Sequence, residues 1–143
     1  KVRCFGPQPN IALISFSDFG SDDAESSCEA RRAVALLHER YPDLSVDGEM
    51  QIQTALQLAQ RDAKYPQNKL KGKQVNVLVF PRLSAANACY QLLKAVGNAD
   101  EVVGPIQVGL ARPIYFADHD ASVKDIVNIT AMASLDSNAC IVG

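Results

Sequence analysis

The chain alternates between two hydrophobic patterns, and the first pair of segments shows both. An unbroken apolar run, Ile11–Phe16, is rich in branched side chains and is followed by a glycine at Gly20. Such a run predicts a strand that is covered on both faces, so we place it at the centre of a sheet. From Ala24 onward the apolar positions recur every three or four residues, which predicts an amphipathic helix. Its stripe ends before Pro42 and consists of Ala30, Val34, Leu37 and Tyr41.

The second pair of segments is shorter. Leu44–Val46 predicts a brief strand, after which Asp47-Gly48 turns the chain into another helix. The apolar stripe of this helix consists of Ile52, Leu56 and Ala59. Ala63–Lys73 is rich in lysine and contains a proline and a glycine, which indicates a solvated connection.

A third strand and helix follow this connection. Val75–Phe80 is again a continuous run with a strand's length, and Pro81 stops it. Ser84 is placed to cap a helix over Ala85–Val96, which Gly97 ends.

The remaining residues give a weaker pattern. Glycine and proline interrupt the apolar pieces of Glu101–Ala117, so we expect one short strand and loops there. Ser122 and Asp125 have the spacing of a capping box and open a last helix, for which we expect the range 122–135.

This alternation of strands and helices predicts the fold class. Strands that alternate with helices of ten to fifteen residues form a parallel sheet with helices on both faces, a three-layer α/β/α arrangement. Ligands of such sheets bind beyond the carboxyl ends of the strands. We therefore expect the site near the loops that follow Phe16, Val46 and Phe80.

Composition narrows the class of protein. The 143 residues are 48% hydrophobic, 21% charged and 6% aromatic, which describes one globular domain and excludes collagen-like and disordered chains. A net charge of −2 gives no field that attracts nucleic acid or anionic lipid, and no apolar run approaches the length of a membrane span. We expect neither nucleic acid nor membrane as a partner.

The cysteines and the first residues indicate context. The four cysteines stand far apart without a C-x-x-C pair, which favours a reduced, cytoplasmic protein. Lys1–Pro7 has neither an initiator Met nor a secretory apolar core, so we expect the start to be a cut inside a longer chain.

The loop Ser17–Ser21 is the first candidate site. It joins the central strand to a helix, and its hydroxyls and backbone N–H groups suit a phosphate or carboxylate. Asp18, Asp22 and Asp23 would repel such an anion. The alternative is that Asp and Ser side chains here cap the helix.

Three acidic groups also have two interpretations each. Asp47-Gly48-Glu49 suits acid–base chemistry or a hard cation, or else a turn whose carboxylates stabilise a helix N-terminus. Asp118-His119-Asp120 is either a metal or proton-relay cluster or a polar surface loop. The surface loop is favoured because the cluster has no evident distant partner, the only other histidine, His38, lying in a predicted helix. Asp125 serves either a substrate or the capping box.

Several segments, in one order along the chain, resemble the C-terminal half of the phosphate acetyl/butyryltransferase domain. Within that superfamily they are similar to the branch of hybrid NADP-dependent malic enzymes rather than to stand-alone phosphotransacetylases. The segments that carry the resemblance are Ile11–Ser21, Val46–Gln51, Val75–Pro81 with Ala85-Ala86-Asn87, and Gly104-Pro105-Ile106 leading to Ser122–Asn128.

The chain departs from the family at its catalytic motif. Active members carry a PVNDLSRG stretch whose Ser and Arg belong to the acyl-transfer site. Counted from Pro113, Asp118 stands at the Ser position and His119 at the Arg position, whereas Asp125 keeps the position of a third site residue. A carboxylate and an imidazole cannot replace the hydroxyl and the bidentate guanidinium that hold acetyl phosphate. The resemblance thus implies lost transfer chemistry and no catalytic residues in this chain.

For the malic-enzyme branch the resemblance implies a regulatory and oligomerisation domain that senses acetyl-CoA. Malate is then converted to pyruvate by N-terminal domains that bind NADP and a divalent metal, and this chain has no cofactor or metal of its own. The implied fold is one lobe of an isocitrate/isopropylmalate dehydrogenase-like bilobal domain. Residues 1–143 form that lobe, and helix 122–135 packs on the missing lobe.

The resemblance and the strand ends together imply an effector cleft for an acyl-CoA. The expected cleft residues are Ser15, Ser17, Gly20, Ser21, Gln107, Gly109 and Asp125. A second expected partner is another copy of the chain. Two alternatives stay open. One is part of a catalytic phosphate acetyltransferase, which acetyl phosphate turnover by the full domain would reveal. The other is an oligomerisation module with an empty cleft, which would not bind CoA.

Overall fold

The computed structural model describes residues 2–97, 103–110, 112, 114–117, 119 and 121–140. It divides into two compact units, Lys1–Tyr90 and Gln91–Gly143. The first unit holds the sheet and the helices that pack on it. Its elements are a 3-10 helix at Val2–Phe5, β1 at Ile11–Ile14, α1 at Glu25–Arg40, β2 at Val46–Met50, α2 at Ile52–Leu56, α3 at Leu58–Lys64, β3 at Val77–Val79 and the start of α4, Leu83–Val96.

The three strands form a parallel sheet in the order β2-β1-β3. Ile11 of β1 pairs with Val46 of β2 and with Val77 of β3. The prediction that the first apolar run forms the central strand is therefore confirmed, and so is a parallel α/β fold.

Alternation along β1 divides the core of this unit between the two faces of the sheet. Leu13 points to the face where Val34 of α1 packs, together with Val46. Ala12 and Ile14 point to the opposite face and pack with Ala55 of α2. Helices thus cover both faces of the sheet, which is why β1 has no polar side chain.

Strand β2 is longer than predicted, and the predicted turn at Asp47-Gly48 is wrong. Leu13 pairs with Gly48 and Ile14 with Met50, so Glu49 is an additional residue at an irregularity of the strand. An extra residue of this kind re-aims a side chain. Asp47 is accommodated in the strand because its carboxylate accepts the backbone N–H of Lys69 at 2.6 Å.

The helix predicted after β2 is two helices, α2 and α3, which meet at Gln57. The prediction that Ala63–Lys73 is a solvated connection is wrong in part, since Leu70 is fully buried. Arg61 of α3 is also fully buried and donates to the carbonyls of Leu70 and Lys73 at 2.8 and 2.7 Å. A buried guanidinium therefore shapes the segment.

Two other boundaries differ slightly from prediction. Strand β3 covers only Val77–Val79 of the apolar run, while Val75 is 5% exposed and belongs to the core. Helix α4 begins at Leu83, so Ser84 lies in its first turn rather than at its cap. No helix among the described residues is long and apolar enough to cross a membrane.

The second unit contains the end of α4 and a last helix, α5, at Val123–Cys140. Between them, where we predicted a short strand, the described residues form an isolated antiparallel bridge between Ile106 and Tyr115. The hydroxyl of Tyr115 donates to the carboxylate of Asp136 on α5. The prediction of a last helix is confirmed, and it extends beyond residue 135.

Candidate functional site

The loop after β1 folds back on itself through its serine side chains. The hydroxyl oxygen of Ser15 accepts the N–H of Ser17 at 3.2 Å and lies 3.3 Å from the hydroxyl of Ser27. The hydroxyl of Ser17 accepts the N–H of Asp22 at 3.1 Å, and that of Ser21 accepts the N–H of Asp18 at 2.9 Å. The hydroxyls that suggested a phosphate site thus hold the loop's own backbone.

The carboxylate of Glu49 lies at the centre of this loop. Its side chain is fully buried. Its Oε1 accepts three hydrogen bonds, from the Ser17 hydroxyl at 2.7 Å, the Gly20 N–H at 2.9 Å and Arg31 Nη1 at 3.0 Å. The loop N–H and hydroxyl expected to bind a ligand anion therefore bind an anion of the protein itself.

Arg31 links this carboxylate to the start of α1. Its other donors reach the Asp23 carboxylate at 2.8 Å, the Asp22 carbonyl at 3.1 Å and the Cys28 sulfur at 3.1 Å. Partial burial opposes the charge of Arg31, yet the Glu49 carboxylate and its other partners raise the pKa of Arg31 above its ordinary value. The N-cap of α1, Ala24, makes no side-chain hydrogen bond, but its own N–H donates to the carboxylate of Asp22 at 2.7 Å. An Asp side chain of this segment therefore binds the backbone where α1 begins, one residue outside the N-cap position.

Asp18 fixes the other end of the loop. Asp18 is 7% exposed, and its carboxylate accepts the N–H of Gln51 at 2.8 Å. The side chain of Gln51 donates to the carbonyl of Phe16 at 2.8 Å. The ring of Phe19 packs against Tyr65 with centroids 4.7 Å apart. The loop is therefore anchored to β2 and α3 as well as to α1.

A cavity of about 670 Å³ lies beside the loop, within the first unit. It is formed at the carboxyl ends of all three strands, where the fold class predicts ligands. Most of its wall is apolar, and its charged groups are Glu29 and Arg82, which lie 3.5 Å apart. The wall consists of Ile14, Ser15, Phe16, Ser26, Glu29, Gln51, Ile52, Gln53, Phe80, Pro81, Arg82, Ala85 and Cys89.

The structure brings together only part of the predicted cleft. Ser15 lines the cavity, Ser17 is buried under the loop, and Gly20 and Ser21 lie on the exposed side of the loop. The other predicted residues belong to the second unit. They are Gln107 and Gly109, both exposed, together with Asp125 and the exposed His119, whereas Asp118 lies outside the described residues.

Asp125 forms the capping box of α5. Its carboxylate accepts the hydroxyl of Ser122 at 2.8 Å and the N–H of Ser122 at 3.0 Å, and these two bonds hold the pKa of Asp125 below its ordinary value. The Ser122 hydroxyl in return accepts the Asp125 N–H at 3.2 Å. The capping prediction is confirmed, and the effector role of Asp125 stays a prediction.

Metal chemistry finds no support in the described part of the chain, which contains no group of three His, Cys, Asp or Glu side chains placed to hold an ion. The carboxylates of Asp47 and Glu49 bind different partners, the first reaching Lys69 and the second Ser17. Asp118 and Asp120 of the predicted cluster around His119 lie outside the described residues.

Sequence reasoning missed Arg31 and Arg82. Arg31 stands three residues before Val34, on the inward side of α1. A cation on the apolar side of a predicted helix could have indicated that Arg31 has a charged partner there. Arg82 lies three residues after the end of β3, at a carboxyl end of the sheet, and could have been found by that position.

Comparison with known proteins agrees with the fold. The family model for phosphate acetyl/butaryl transferase matches residues 1–134. The NADP-dependent malic enzyme of Escherichia coli (strain K12) is 42% identical over 136 residues, 95% of this chain and 18% of that enzyme. The phosphate acetyltransferase of Paracoccus denitrificans is 40% identical over 135 residues, 94% of this chain and 42% of that enzyme.

Solved phosphotransacetylase structures have the same fold as this chain. A phosphotransacetylase from Streptococcus pyogenes superposes with a TM-score of 0.84 at 29% identity, covering 99% of this chain and 42% of that one. The chain therefore spans less than half of the length of these relatives. With the family model matched over residues 1–134 and the sheet and cavity in place, the chain belongs to the phosphate acetyl/butaryl transferase family.

Proposed function

We propose that the chain is a non-catalytic, phosphotransacetylase-like regulatory and oligomerisation domain of an NADP-dependent malic enzyme, and that it binds an acyl-CoA. The observation that carries the proposal is the pair Asp118 and His119 at the positions where the family's motif has Ser and Arg. A relative named as a malic enzyme matches 95% of the chain, which supports the choice of branch.

The substitutions act against acyl transfer for a physical reason. A guanidinium holds a phosphoryl group through two parallel hydrogen bonds and a permanent charge, and an imidazole offers neither. The carboxylate of Asp118 adds repulsion against an acyl phosphate. Loss of one preorganised donor to a developing charge lowers the rate by about a hundredfold to a thousandfold. The chain therefore keeps the fold without the transfer chemistry.

The cavity of the first unit is the site that we propose for the acyl-CoA. Its volume of about 670 Å³ falls in the range of pockets that bind cofactor-sized ligands. Phe16, Phe80 and Ala85 offer apolar contact to the acyl and pantetheine chain. Arg82 is the cation on the cavity wall that would bind a ligand phosphate, and the hydroxyl of Ser15 would face the acyl carbonyl of the ligand. The proposed contact with a ligand phosphate is therefore Arg82 on the cavity wall and not the loop Ser17–Ser21.

Helix α5 supports self-association. Its stripe Val123, Ile126 and Val127 is 79%, 50% and 60% exposed. We propose that this stripe is covered by a second lobe or a second copy, in the bilobal arrangement of isocitrate and isopropylmalate dehydrogenases. Light scattering at increasing concentration tests it, and a strict monomer with the stripe exposed contradicts it.

A second candidate, part of a catalytic phosphate acetyltransferase, is favoured by the 40% identity to the Paracoccus denitrificans enzyme. The two candidates differ in one property. An acetyltransferase turns over acetyl phosphate, and a regulatory domain binds acetyl-CoA without turnover.

Calorimetric titration with acetyl-CoA tests the proposed site. The variant Arg82→Ala should weaken binding about tenfold, as expected for one lost charge-assisted contact. The matched control is Arg32→Ala, which removes an exposed arginine of α1 that is absent from the cavity wall and should leave the affinity unchanged. Equal affinity in wild type and Arg82→Ala removes the cavity from the site, and no heat with any form leaves only the oligomerisation role.

A further inference from the structure

Three donors of different kinds converge on one point in the loop after β1. The Ser17 hydroxyl, the Gly20 N–H and the Arg31 guanidinium lie 2.7, 2.9 and 3.0 Å from a single oxygen atom, Glu49 Oε1. We call these three groups the loop cradle. A hydroxyl, a loop N–H and a guanidinium are the donor types that proteins use to hold a phosphate oxygen.

The occupant of the loop cradle comes from inside the protein. Glu49 reaches the loop from the irregularity of β2, and its side chain is fully buried. The two carboxylate oxygens are used unequally, because Oε1 accepts all three bonds while Oε2 is buried without a hydrogen-bond partner among the described residues. A buried carboxylate that served only as a structural link would be more stable with both of its oxygens hydrogen-bonded. Its position is instead set by the loop cradle.

The charges around the loop cradle reinforce this occupancy. Arg31 is already shared between Glu49 and Asp23, at 3.0 and 2.8 Å. Asp22 lies beside them on the exposed side of the loop, and Asp18 is buried beneath it. A phosphate that approaches therefore meets several carboxylates and one cation that is fully engaged.

We propose that Glu49 is a specificity-determining residue, an internal carboxylate that fills the loop cradle in place of a ligand oxyanion and so closes the loop to phosphate and acyl phosphate groups. The inference does not depend on the acyl-CoA proposal. A ligand can occupy the cavity at Arg82 whether or not Glu49 closes the loop, and acetyl-CoA calorimetry reports on the first question only.

The test uses inorganic phosphate as the probe, with chloride at matched ionic strength as the blank. In the wild type, the Gly20 amide signal in ¹⁵N NMR should show no saturable shift with phosphate up to tens of millimolar. In Glu49→Ala the loop cradle is empty, so the same signal should shift and saturate, with an affinity at least about tenfold above that of the wild type. The double variant Arg31→Met with Glu49→Ala should lose this binding.

The urea unfolding midpoint is a second readout, which remains valid if Glu49→Ala is partly unfolded. A ligand that binds only the native state raises the unfolding midpoint by mass action, even when stability is low. Phosphate should raise the urea midpoint of Glu49→Ala more than that of the wild type. Glu25→Ala, which removes an exposed glutamate of α1, is the charge-matched control and should behave like the wild type.

Two results overturn the inference. The first is a saturable phosphate shift at the wild-type Gly20 amide, which would mean that Glu49 does not close the loop. The second is an equal effect of phosphate on the midpoints of wild type and Glu49→Ala, which would reduce Glu49 to a structural anchor.

Discussion

The hydroxyl of Ser17 donates to the buried carboxylate of Glu49 at 2.7 Å, and the two residues are separated by 32 positions in sequence. The bond joins the loop that follows β1 to the adjacent strand β2, at the edge of the sheet where ligands of this fold class bind. Because Ser17 is itself fully buried and also accepts the N–H of Asp22, it connects the carboxylate to the loop backbone. Through this connection the loop is held to β2 by a buried side chain.

Ser17→Ala should destabilise the protein by about 1–3 kcal/mol, because it removes a donor to a buried carboxylate and an acceptor for a backbone N–H. The control is Ser26→Ala, a half-buried serine on α1. Urea unfolding measures both, and we expect the control to stay within about 0.5 kcal/mol of the wild type. Equal effects of the two substitutions would contradict the role of Ser17.

Gly48→Ala should be severely destabilising. Gly48 has φ +142°, and a Cβ there would lie 2.7 Å from the carbonyl oxygen of Leu13 in the neighbouring strand. Since a strand backbone cannot give way as a flexible side chain can, we expect a loss of about 3 kcal/mol or more.

Gly72→Ala is the matched control for this prediction. Its φ is +72°, but a Cβ there meets no heavy atom within 4 Å, so only the backbone strain of about 1–2 kcal/mol remains. Comparing the denaturation midpoints of the two variants separates the effect of the close contact with Leu13 from that of backbone strain. Equal losses would mean that the contact with Leu13 is relieved.

Arg61→Met should cost about 3–5 kcal/mol, because buried carbonyls then lose their donor. Arg61 Nη1 donates to the carbonyl of Ala55 at 3.2 Å, and Nη2 donates to the carbonyls of Leu70 and Lys73. The exposed Arg32→Met should change stability by no more than about 0.5 kcal/mol. Thermal unfolding distinguishes the two, and a mild Arg61→Met would show that water can replace the guanidinium.

The stability of the first unit should fall in acid partly through Asp62. The N–H of Gly72, at 2.6 Å, is the main cause that holds the pKa of Asp62 below its ordinary value. A carboxyl with a lower pKa in the folded state contributes stability above its unfolded pKa, near 3.9 by reference, and loses it as the pH falls through the folded value. Unfolding free energies should therefore converge for wild type and Asp62→Asn as the pH falls below about 4. A constant difference between the two at every pH contradicts this assignment.

Local pattern was sufficient for the elements whose partners are apolar. The run at Ile11 gave the central strand, the stripe through Val34 gave α1, and the spacing of Ser122 and Asp125 gave the start of α5. Each of these signals lies within a few residues, so the sequence contains it directly.

Local pattern failed where charges are buried. Asp47 and Glu49 suggested a turn because charged residues are rare in buried strands, and the groups that satisfy them are Lys69, Ser17 and Arg31, which are distant in sequence. Ser15 lies on the cavity wall after β1, and its role in an effector site stays a prediction. The engagement of the loop by Glu49 is a tertiary property that no local window contains.

Acetyl transfer between acetyl phosphate and CoA distinguishes a regulatory domain from a catalytic one. A coupled assay of the complete domain to which this chain belongs, run beside the Paracoccus denitrificans phosphate acetyltransferase, reports acetyl-CoA formation. We expect a rate at the background, because the hydroxyl and guanidinium of the family's motif are replaced by Asp118 and His119. Turnover comparable with that of the Paracoccus denitrificans enzyme would contradict a regulatory domain and identify a catalytic one.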